Sequence, residues 1–512
     1  MISTATSRRQ AYAAGAVAAG VALAVTEVLT PSDGPSLIAS IGTQFINRFA
    51  APLKDLAIAL FGSNDKTALE VGIIAVALAV GASLGAAASR RRLIPVVGFA
   101  AFGVVGVWAG FADPLGNRAY AVLAATFGVV AGVGTLLGLL RFVGPQTSSS
   151  AEPRALDPTA PEASRRAFLA FAAVAGGIAV AGAGVARTLR NTATEFAVRV
   201  LPKPKRLTAL PATQPFEVDG LTSYVTANDD FYRIDTALFV PRVNAERWTL
   251  DIDGLVDAPY RLTYDELLAM DMIEEPITLQ CVSNEVGGNL VGNASWLGVP
   301  LSDLLERARP RAEGSQIVGR SVDNFTVGFP TAVAFDGRTA LVAVGMNGEP
   351  LPQRHGYPAR LVVAGLYGYV SATKWLREIQ LTRLEDFDAY WVPRGWAKEA
   401  PIKTASRIDV PRKGARVAPG TVAIAGVAWA PTRGITAVHV RIDDGPWTEA
   451  RLGDAASNNS WVQWMLEWDA TPGDHVLVVR AIDGAGDAQT ANEAPPRPDG
   501  ASGHHSRRVT VR

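Results

Sequence analysis

Hydrophobic patterning divides the chain into two parts. Long apolar runs with few charges dominate roughly the first 190 residues, and short alternating segments follow. A helix needs about 20 apolar residues to cross a bilayer. Five runs approach that length, namely Ala11–Val28, Ala68–Ala88, Leu93–Phe111, Tyr120–Leu140 and Arg166–Ala186. Buried helices of a soluble domain are the alternative, but five such runs favour an α-helical transmembrane region of about four helices over 1–140 and a fifth over 166–188.

The segment between the first two runs carries charges that a membrane span would not tolerate. It reads SLIASIGTQFINRFAAPLKDLAIALFG and contains Arg48, Pro52, Lys54 and Asp55. Because charges at the bilayer centre are costly, the segment is predicted to be an interfacial or re-entrant pair of half-helices.

Basic residues predict the orientation of the helices. One set of loops is richer in arginine, with Arg8, Arg9, Arg90–Arg92, Arg141, Arg154, Arg165 and Arg166. The opposite loops hold Arg48, Lys54, Lys66 and Arg118. The positive-inside rule then places the N-terminus and the linker 141–165 in the cytoplasm, and the chain beyond about residue 187 on the extracytoplasmic side of the cell membrane.

The fifth run begins with a paired arginine. Ser164–Leu169 reads SRRAFL, which resembles a twin-arginine export signal. The alternative is a stop-transfer arginine pair at the cytoplasmic end of a helix. Export of a folded domain would suit a protein that receives a bulky cofactor in the cytoplasm.

Composition excludes several classes of site. The single cysteine rules out a disulfide framework and a four-cysteine metal site. All five histidines lie at or beyond His355, so no histidine-ligated haem is predicted in the membrane region. Lysine plus arginine and aspartate plus glutamate balance at 48 each, so no charge excess favours a nucleic-acid partner.

The soluble remainder is predicted to hold two domains after a spacer. Residues 189–215 are proline-rich and read as a stiff spacer. Residues 216–395 mix short strand-like and helix-like runs, which indicates an α+β domain. Residues 396–512 contain closely spaced strand patterns separated by turns, as in an all-β immunoglobulin-like sandwich. Five tryptophans there are predicted to be core or interface residues: Trp429, Trp447, Trp461, Trp464 and Trp468.

Cys281 ends a predicted buried strand, PITLQCV, and precedes the polar turn SNEVGGN. A thiol in this position suits a nucleophile or a soft-metal ligand, and the alternative is an inert buried cysteine. For a nucleophile, His355 is the one histidine of this domain that could act as its base.

A second cluster lies in the glycine-rich stretch 346–375, with His355, Arg360 and Lys374. Arginine and lysine beside glycines suit a phosphate group. The alternative is surface salt bridging combined with turns.

Five motifs follow one another in a recognisable order. They are FYRID (Phe231–Asp235), TLQCVSN (Thr278–Asn284), MNGEPLP with HGYPAR (His355–Arg360), SATKW (Ser371–Trp375) and DAYW (Asp388–Trp391). With them, the chain from about Leu221 onward resembles the sulfite oxidase family of molybdopterin enzymes. The later GTVAIAGVAWA and DDGPWTEARL resemble that family's immunoglobulin-like dimerisation domain.

The resemblance implies a role for each matching residue. Cys281 would bind molybdenum through its thiolate, beside the two dithiolene sulfurs of the pterin. Arg233 would attract an anionic substrate, and Tyr390 would donate a hydrogen bond to developing charge. The remaining matches would line or hold the molybdopterin: Phe231, Tyr232, Arg233, Asp323, His355, Arg360, Ala372, Thr373 and Lys374.

Two departures from the family pattern concern the substrate. Asn284 is followed by Glu285 and Val286 where sulfite oxidases have arginines, and PDGASGHHS replaces their WN-x-R-G stretch. A dianion such as sulfite would need those positive charges.

The resulting hypothesis is a membrane-anchored molybdopterin-dependent oxidoreductase that transfers an oxo group on a small polar or sulfur-containing substrate. Electrons would pass to a separate cytochrome or quinone, since no fused haem domain is seen, and the C-terminal domain implies a homodimer. One alternative is a sulfoxide or N-oxide reductase with the same site. The other is a cofactor-free, membrane-tethered binding protein.

Overall fold

The computed structural model describes residues 2–48, 65–88, 91, 93–141, 160–192, 200–212 and 216–512. The chain forms two compact units. Unit 1 comprises Met1–Ala197 with Ala237–Pro241, and unit 2 comprises Val198–Thr236 with Arg242–Arg512. Several predictions fall outside the described residues: the second half-helix (49–64), Arg90 and Arg92, most of the linker 141–165 with Arg154, and parts of the proline-rich spacer.

Unit 1 is helical. Its helices are α1 Ile2–Leu29, α2 (residues 37–48), α3 Asp65–Ala87, α4 Leu93–Ala112, α5 Arg118–Leu140 and α6 Ala160–Thr192. Five of them contain segments long and apolar enough to cross a membrane: Arg8–Leu29, Lys66–Ala87, Leu93–Ala112, Arg118–Leu140 and Arg166–Ala186. These segments agree with the five predicted runs to within a few residues. That they cross a membrane stays a prediction.

Small residues bring α1 and α3 together. A Cβ atom at Gly15 would overlap the backbone of Gly81, and one at Gly85 would overlap the carbonyl oxygen of Ala11. Such close backbone contact is typical of helices that pack in lipid, where small residues replace the hydrophobic driving force.

The first part of unit 2 is built on two sheets. Their strands are β1 Arg206–Leu207, β2 Thr249–Gly254, β3 Tyr260–Thr263, β4 Ile273–Gln280, β5 Val291–Pro300, β6 Gln316–Ser321, β7 Thr326–Pro330, β8 Ala340–Met346, β9 Glu349–Pro350, β10 Arg360–Val363 and β11 Leu376–Thr382. One sheet has the order β1-β4-β5-β8-β10, with β9 paired to β8, and the other has the order β3-β2-β11-β6-β7. Three short helices accompany them: α7 Tyr264–Leu268, α8 Leu301–Ala308 and α9 Gly368–Ser371. The mixed composition agrees with the predicted α+β domain.

The local sequence explains where α7 begins and how α8 packs. Thr263 caps α7, accepting from the Glu266 amide while the Glu266 carboxylate accepts from Thr263. Such a capping box satisfies helix-end donors that have no partner within the helix. In α8, the apolar Leu301, Leu304 and Leu305 are buried, which fixes the helix against the core.

The C-terminal part of unit 2 has two further sheets. Its strands are β12 Ala405–Val410, β13 Arg416–Val417, β14 Gly420–Trp429, β15 Ile435–Ile442, β16 Trp447–Glu449, β17 Arg451–Leu452, β18 Val462–Ala470, β19 Gly473–Asp483 and β20 His505–Val511. The orders are β12-β14-β18-β17 and β13-β20-β19-β15-β16, and both sheets contribute to one apolar core. Two sheets with a shared core agree with a sandwich; its immunoglobulin-like nature stays a prediction.

The tryptophans divide between two cores. Trp464 and Trp468 belong to the sandwich core. Trp429 and Trp461 instead join the core of the preceding α+β part, where the Trp429 indole donates to Gln280 Oε1 at 2.8 Å. Trp447 lies half-buried beneath the guanidinium groups of two arginines.

Candidate active site

Eight of the eleven predicted site residues line one cleft of unit 2. They are Phe231, Tyr232, Cys281, Asp323, His355, Arg360, Ala372 and Lys374. Arg233, Thr373 and Tyr390 do not line it and lie next to residues that do. The cleft forms where β4 ends, because β4 is almost wholly buried and delivers the residue that follows it into the interior.

The turn after β4 holds Cys281 in place. Its amide donates to the Leu290 carbonyl at 2.9 Å, and its own carbonyl accepts from the Asn284 amide at 3.0 Å. The Asn284 side-chain oxygen accepts from the Leu290 amide at 2.8 Å, which closes the turn. The thiol is 8% exposed and lies 2.9 Å from the Ser283 hydroxyl. The predicted arrangement of strand, cysteine and polar turn is therefore present.

Arg360 is a buried cation in the wall of this cleft. Its guanidinium donates to the carbonyl oxygens of His355 at 3.0 Å and Leu361 at 3.4 Å, and lies 4.9 Å from the centroid of the Trp296 ring. Burial lowers its pKa to about 10. Within the described part of the chain, no carboxylate forms an ion pair with it. Because a buried charge needs a counter-charge, Arg360 is suited to an anionic group in the cleft.

Lys374 shares one carboxylate with Arg233. Its ammonium nitrogen is 2.8 Å from Asp235 Oδ2, and the same oxygen is 2.8 Å from Arg233 Nε. Burial lowers the pKa of Lys374 to about 8, against the opposing effect of Asp235. Arg233, the arginine expected to attract an anionic substrate, is thus already paired with Asp235. Asp235 ends the FYRID motif, yet sequence reasoning gave it no role.

His355 is neutral in this site. Burial, with the charge of Arg360, lowers its pKa to about 4. Its Nε2 lies 2.8 Å from the carbonyl oxygen of Asn228, so this nitrogen carries the proton and donates. The ring meets Phe231 edge-on, with centroids 5.8 Å apart.

Two further titratable residues, Tyr232 and Asp323, line the cleft, and burial favours the protonated form of each. Burial, followed by the nearby Cys281, raises the pKa of Tyr232, so its phenol stays protonated. Burial also raises the pKa of Asp323, although its carboxylate accepts from the Phe325 amide at 3.0 Å.

The remaining predicted residues sit just outside the lining. The Thr373 hydroxyl is buried and donates to the Gly319 carbonyl at 3.3 Å. Tyr390 packs on Phe325 with ring centroids 5.5 Å apart, and Arg394 lies 3.8 Å over its ring. Burial raises the pKa of Tyr390, which keeps it a hydrogen-bond donor. Sequence reasoning missed two aromatic residues of the lining, Tyr369 and Trp391.

The chain does not assemble a metal site from its own side chains in the described ranges, because no group of three or more histidine, cysteine, aspartate or glutamate residues is placed to hold an ion. A metal bound by Cys281 would therefore take its other ligands from a cofactor. A cleft with one thiol, the buried Arg360 and the partly buried Lys374 can accommodate such a cofactor if it also carries an anionic group.

Comparison with known proteins agrees with this chemistry. Residues 237–391 match the family described as the oxidoreductase molybdopterin binding domain. The uncharacterized oxidoreductase YuiH of Bacillus subtilis (strain 168) is 34% identical over 150 residues, which cover 29% of this chain and 72% of YuiH.

Mitochondrial sulfite oxidase of Rattus norvegicus is 28% identical over 324 residues, and the match covers 53% of this chain and 58% of that protein. The chain thus spans 58% of the length of this curated relative. Among solved structures, the sulfane dehydrogenase SoxCD of Paracoccus pantotrophus superposes with a TM-score of 0.50 at 25% identity, covering 57% of this chain and 84% of that chain.

Proposed function

Because this chain belongs to the sulfite oxidase family of molybdopterin-dependent oxidoreductases, we propose that it is a membrane-anchored enzyme that transfers an oxo group on a small polar or sulfur-containing substrate. The observation that carries the proposal is the cleft shared by the Cys281 thiol and the un-neutralised Arg360. A thiolate is a preferred ligand of soft metals, and Arg360 suits a phosphate.

The residues of the cleft fit a molybdopterin. Cys281 would supply a protein sulfur to molybdenum, while Arg360 and Lys374 would bind the phosphate of the pterin. His355 stays neutral and would add a hydrogen bond without adding charge. The other contacts would come from Phe231, Tyr232, Asp323 and Ala372 in the lining, and from Thr373 just outside it. When bound, the cofactor supplies the two-electron oxo-transfer chemistry.

The substrate would be oriented by groups beside the cofactor cleft. Tyr390 keeps its phenolic proton because burial raises its pKa, so it can donate to an oxygen that gains charge. Arg233 would contribute positive charge, reduced by its pairing with Asp235.

The pairing of Arg233 with Asp235 favours a second candidate reaction, the reduction of a sulfoxide or an N-oxide at the same site, because it lowers the positive charge that an anionic substrate would need. An uncharged substrate does not need the arginines that Glu285 and Val286 replace. The two directions are separated by asking which compounds reduce the oxidised centre and which oxidise the reduced one.

We further propose that the helices of unit 1 anchor the enzyme in the cell membrane and that unit 2 lies on the extracytoplasmic side. Among the described residues, five helices have the required length and apolar character. The C-terminal sandwich would be an immunoglobulin-like dimerisation domain, and electrons would leave through a separate cytochrome or quinone.

Metal analysis of the full chain tests the proposal. Produced in cells that make molybdopterin, the purified protein should carry close to one molybdenum per chain. A screen of sulfite, sulfoxides and N-oxides with an artificial electron carrier should then reveal turnover. A correctly folded protein without molybdenum would instead support the cofactor-free binding protein.

A further inference from the structure

Arg394 lies over the ring of Tyr390, beside the cofactor cleft. Its guanidinium carbon is 3.8 Å from the ring centroid, and its Nη1 donates to the Tyr390 carbonyl oxygen at 2.5 Å. Arg394 ends a short 3₁₀ helix, Val392–Arg394, so a single turn of the backbone carries both residues. The neighbouring Trp391 lines the cleft, which places the stacked pair at the edge of the cleft. Sequence reasoning gave Arg394 no role.

The charge of Arg394 is not neutralised. Among the residues that the structure describes, no carboxylate forms an ion pair with it. Asp388, two residues before Tyr390, pairs with Lys398 instead, at 2.9 Å. By contrast, the arginine of the FYRID motif is neutralised by the carboxylate of the same motif. The full positive charge of Arg394 therefore acts on the ring beneath it.

Neighbouring groups hold the stacked pair on both sides. The Tyr390 amide donates to Thr326 Oγ1 at 3.0 Å, and the Tyr390 ring packs on Phe325 with centroids 5.5 Å apart. On the other side, Nη2 of Arg497 donates to the Arg394 carbonyl oxygen at 2.8 Å. Because the backbone of both partners is held, the two side chains stay in contact.

Three influences act on the pKa of Tyr390. Burial raises this pKa, the positive charge of Arg394 lowers it, and the charge of Asp323 raises it. Arg394 is thus the group that opposes burial, because a nearby cation favours negative charge on the phenolic oxygen. A phenol whose oxygen accommodates negative charge donates a stronger hydrogen bond. That property is the one that the proposed role of Tyr390 requires.

We propose that Arg394 is a positioning residue of the oxidoreductase: it holds the Tyr390 phenol at the edge of the cleft and strengthens the hydrogen bond that this phenol donates to an oxygen gaining negative charge. Arg394 acts through Tyr390 rather than on the substrate itself. The inference rests on the proposed function, in which Tyr390 is the donor. The effect of Arg394 on the phenol does not depend on that function and is tested separately.

The effect on the phenol is measured without turnover. In the full-length, detergent-solubilised protein, a fluorinated tyrosine replaces Tyr390, and fluorine NMR follows its titration, because its more acidic phenol ionises at a pH that a folded protein tolerates. Arg394→Gln should move the titration to higher pH, since the charge that lowers the pKa is lost. Arg394→Lys keeps the charge and should move the titration less. Equal titration curves with and without Arg394→Gln would overturn the inference.

Turnover shows whether Arg394 acts through Tyr390. With molybdenum-loaded protein, an artificial electron carrier, and dimethyl sulfoxide or sulfite, Arg394→Gln should lower kcat about tenfold and leave KM unchanged. In a Tyr390→Phe background, the same change should have no further effect, because the donor is already gone. A further loss in that background, or a higher KM for sulfite alone, would mean that Arg394 contacts the substrate directly and would overturn the inference.

Arg307→Gln is the matched control. Arg307 lies 4.2 Å over the ring of Tyr260, so the same change removes a cation from a tyrosine that does not line the cleft. It should leave both kcat and the titration of the fluorinated tyrosine unchanged, and effects equal to those of Arg394→Gln would overturn the inference. Molybdenum content of the same samples separates this result from failure of the proposed function: a wild type without molybdenum contradicts that function, while the titration still tests the stacked pair.

Discussion

Gly287 connects the Cys281 turn to the C-terminal sandwich, and its substitution should disturb both. It has a φ of +74°, and a Cβ atom there would overlap the ring of His505. That ring is 5% exposed, and its Nδ1 accepts from the Ile408 amide at 2.9 Å. The imidazole therefore cannot move aside without losing a buried hydrogen bond, and in Gly287→Ala the turn itself has to shift.

The expected cost has two parts. A positive φ costs a residue with a Cβ about 1–2 kcal/mol, and forcing an atom into a packed region costs about 1–3 kcal/mol more. Gly287→Ala should thus lose about 2–5 kcal/mol. Gly348 provides a matched control, since its φ is +79° and a Cβ atom there would meet nothing within 4 Å. Gly348→Ala should lose only the stability that the positive φ costs, about 1–2 kcal/mol.

Urea unfolding followed by tryptophan fluorescence measures both variants. Ten of the eleven tryptophans belong to unit 2, so the signal reports on that unit. Because the shift moves Cys281, Gly287→Ala should also lower molybdenum content, whereas Gly348→Ala should not. Equal losses of stability in the two variants would refute the contact between the turn and His505.

Three further predictions concern charge and protonation. Burial lowers the pKa of His505 to about 3; the fold keeps it neutral, so its contribution to stability should fall by about 1.4 kcal/mol per pH unit below 6.5, beside a similar contribution from His355. His505→Asn should remove only its own share of the slope in urea titrations, and an unchanged slope would contradict the assignment. Asp235→Asn leaves Lys374 and Arg233 without their shared carboxylate. The free energy of unfolding, measured in urea, should therefore fall by about 3–5 kcal/mol. An unchanged free energy of unfolding would show that the pairing is weak. Tyr390→Phe should reduce kcat about 10²-fold with molybdenum content intact, so full activity would exclude the phenol as a donor.

Much of the site could be predicted because its motifs are local. Most of β4 is buried and its apolar run PITL leads directly to Cys281, so the position of the cysteine at the end of a strand follows from the sequence. His355 and Arg360 come from one short stretch, and their mutual contact depends only on local geometry.

The ion pair between Lys374 and Asp235 could not be predicted because it joins distant parts of the chain. Asp235 and Lys374 are 139 residues apart, and the sheets bring them together. Trp429 and Trp461 belong to the core of the preceding α+β part, which no pattern within residues 396–512 indicates.

The central claim is a bond between the Cys281 sulfur and molybdenum. X-ray absorption at the molybdenum edge counts the sulfur ligands of the loaded protein directly. The wild type should show three, two from the dithiolene and one from the protein, and Cys281→Ala should show two with the fold retained. An unchanged sulfur count in Cys281→Ala would contradict the claim.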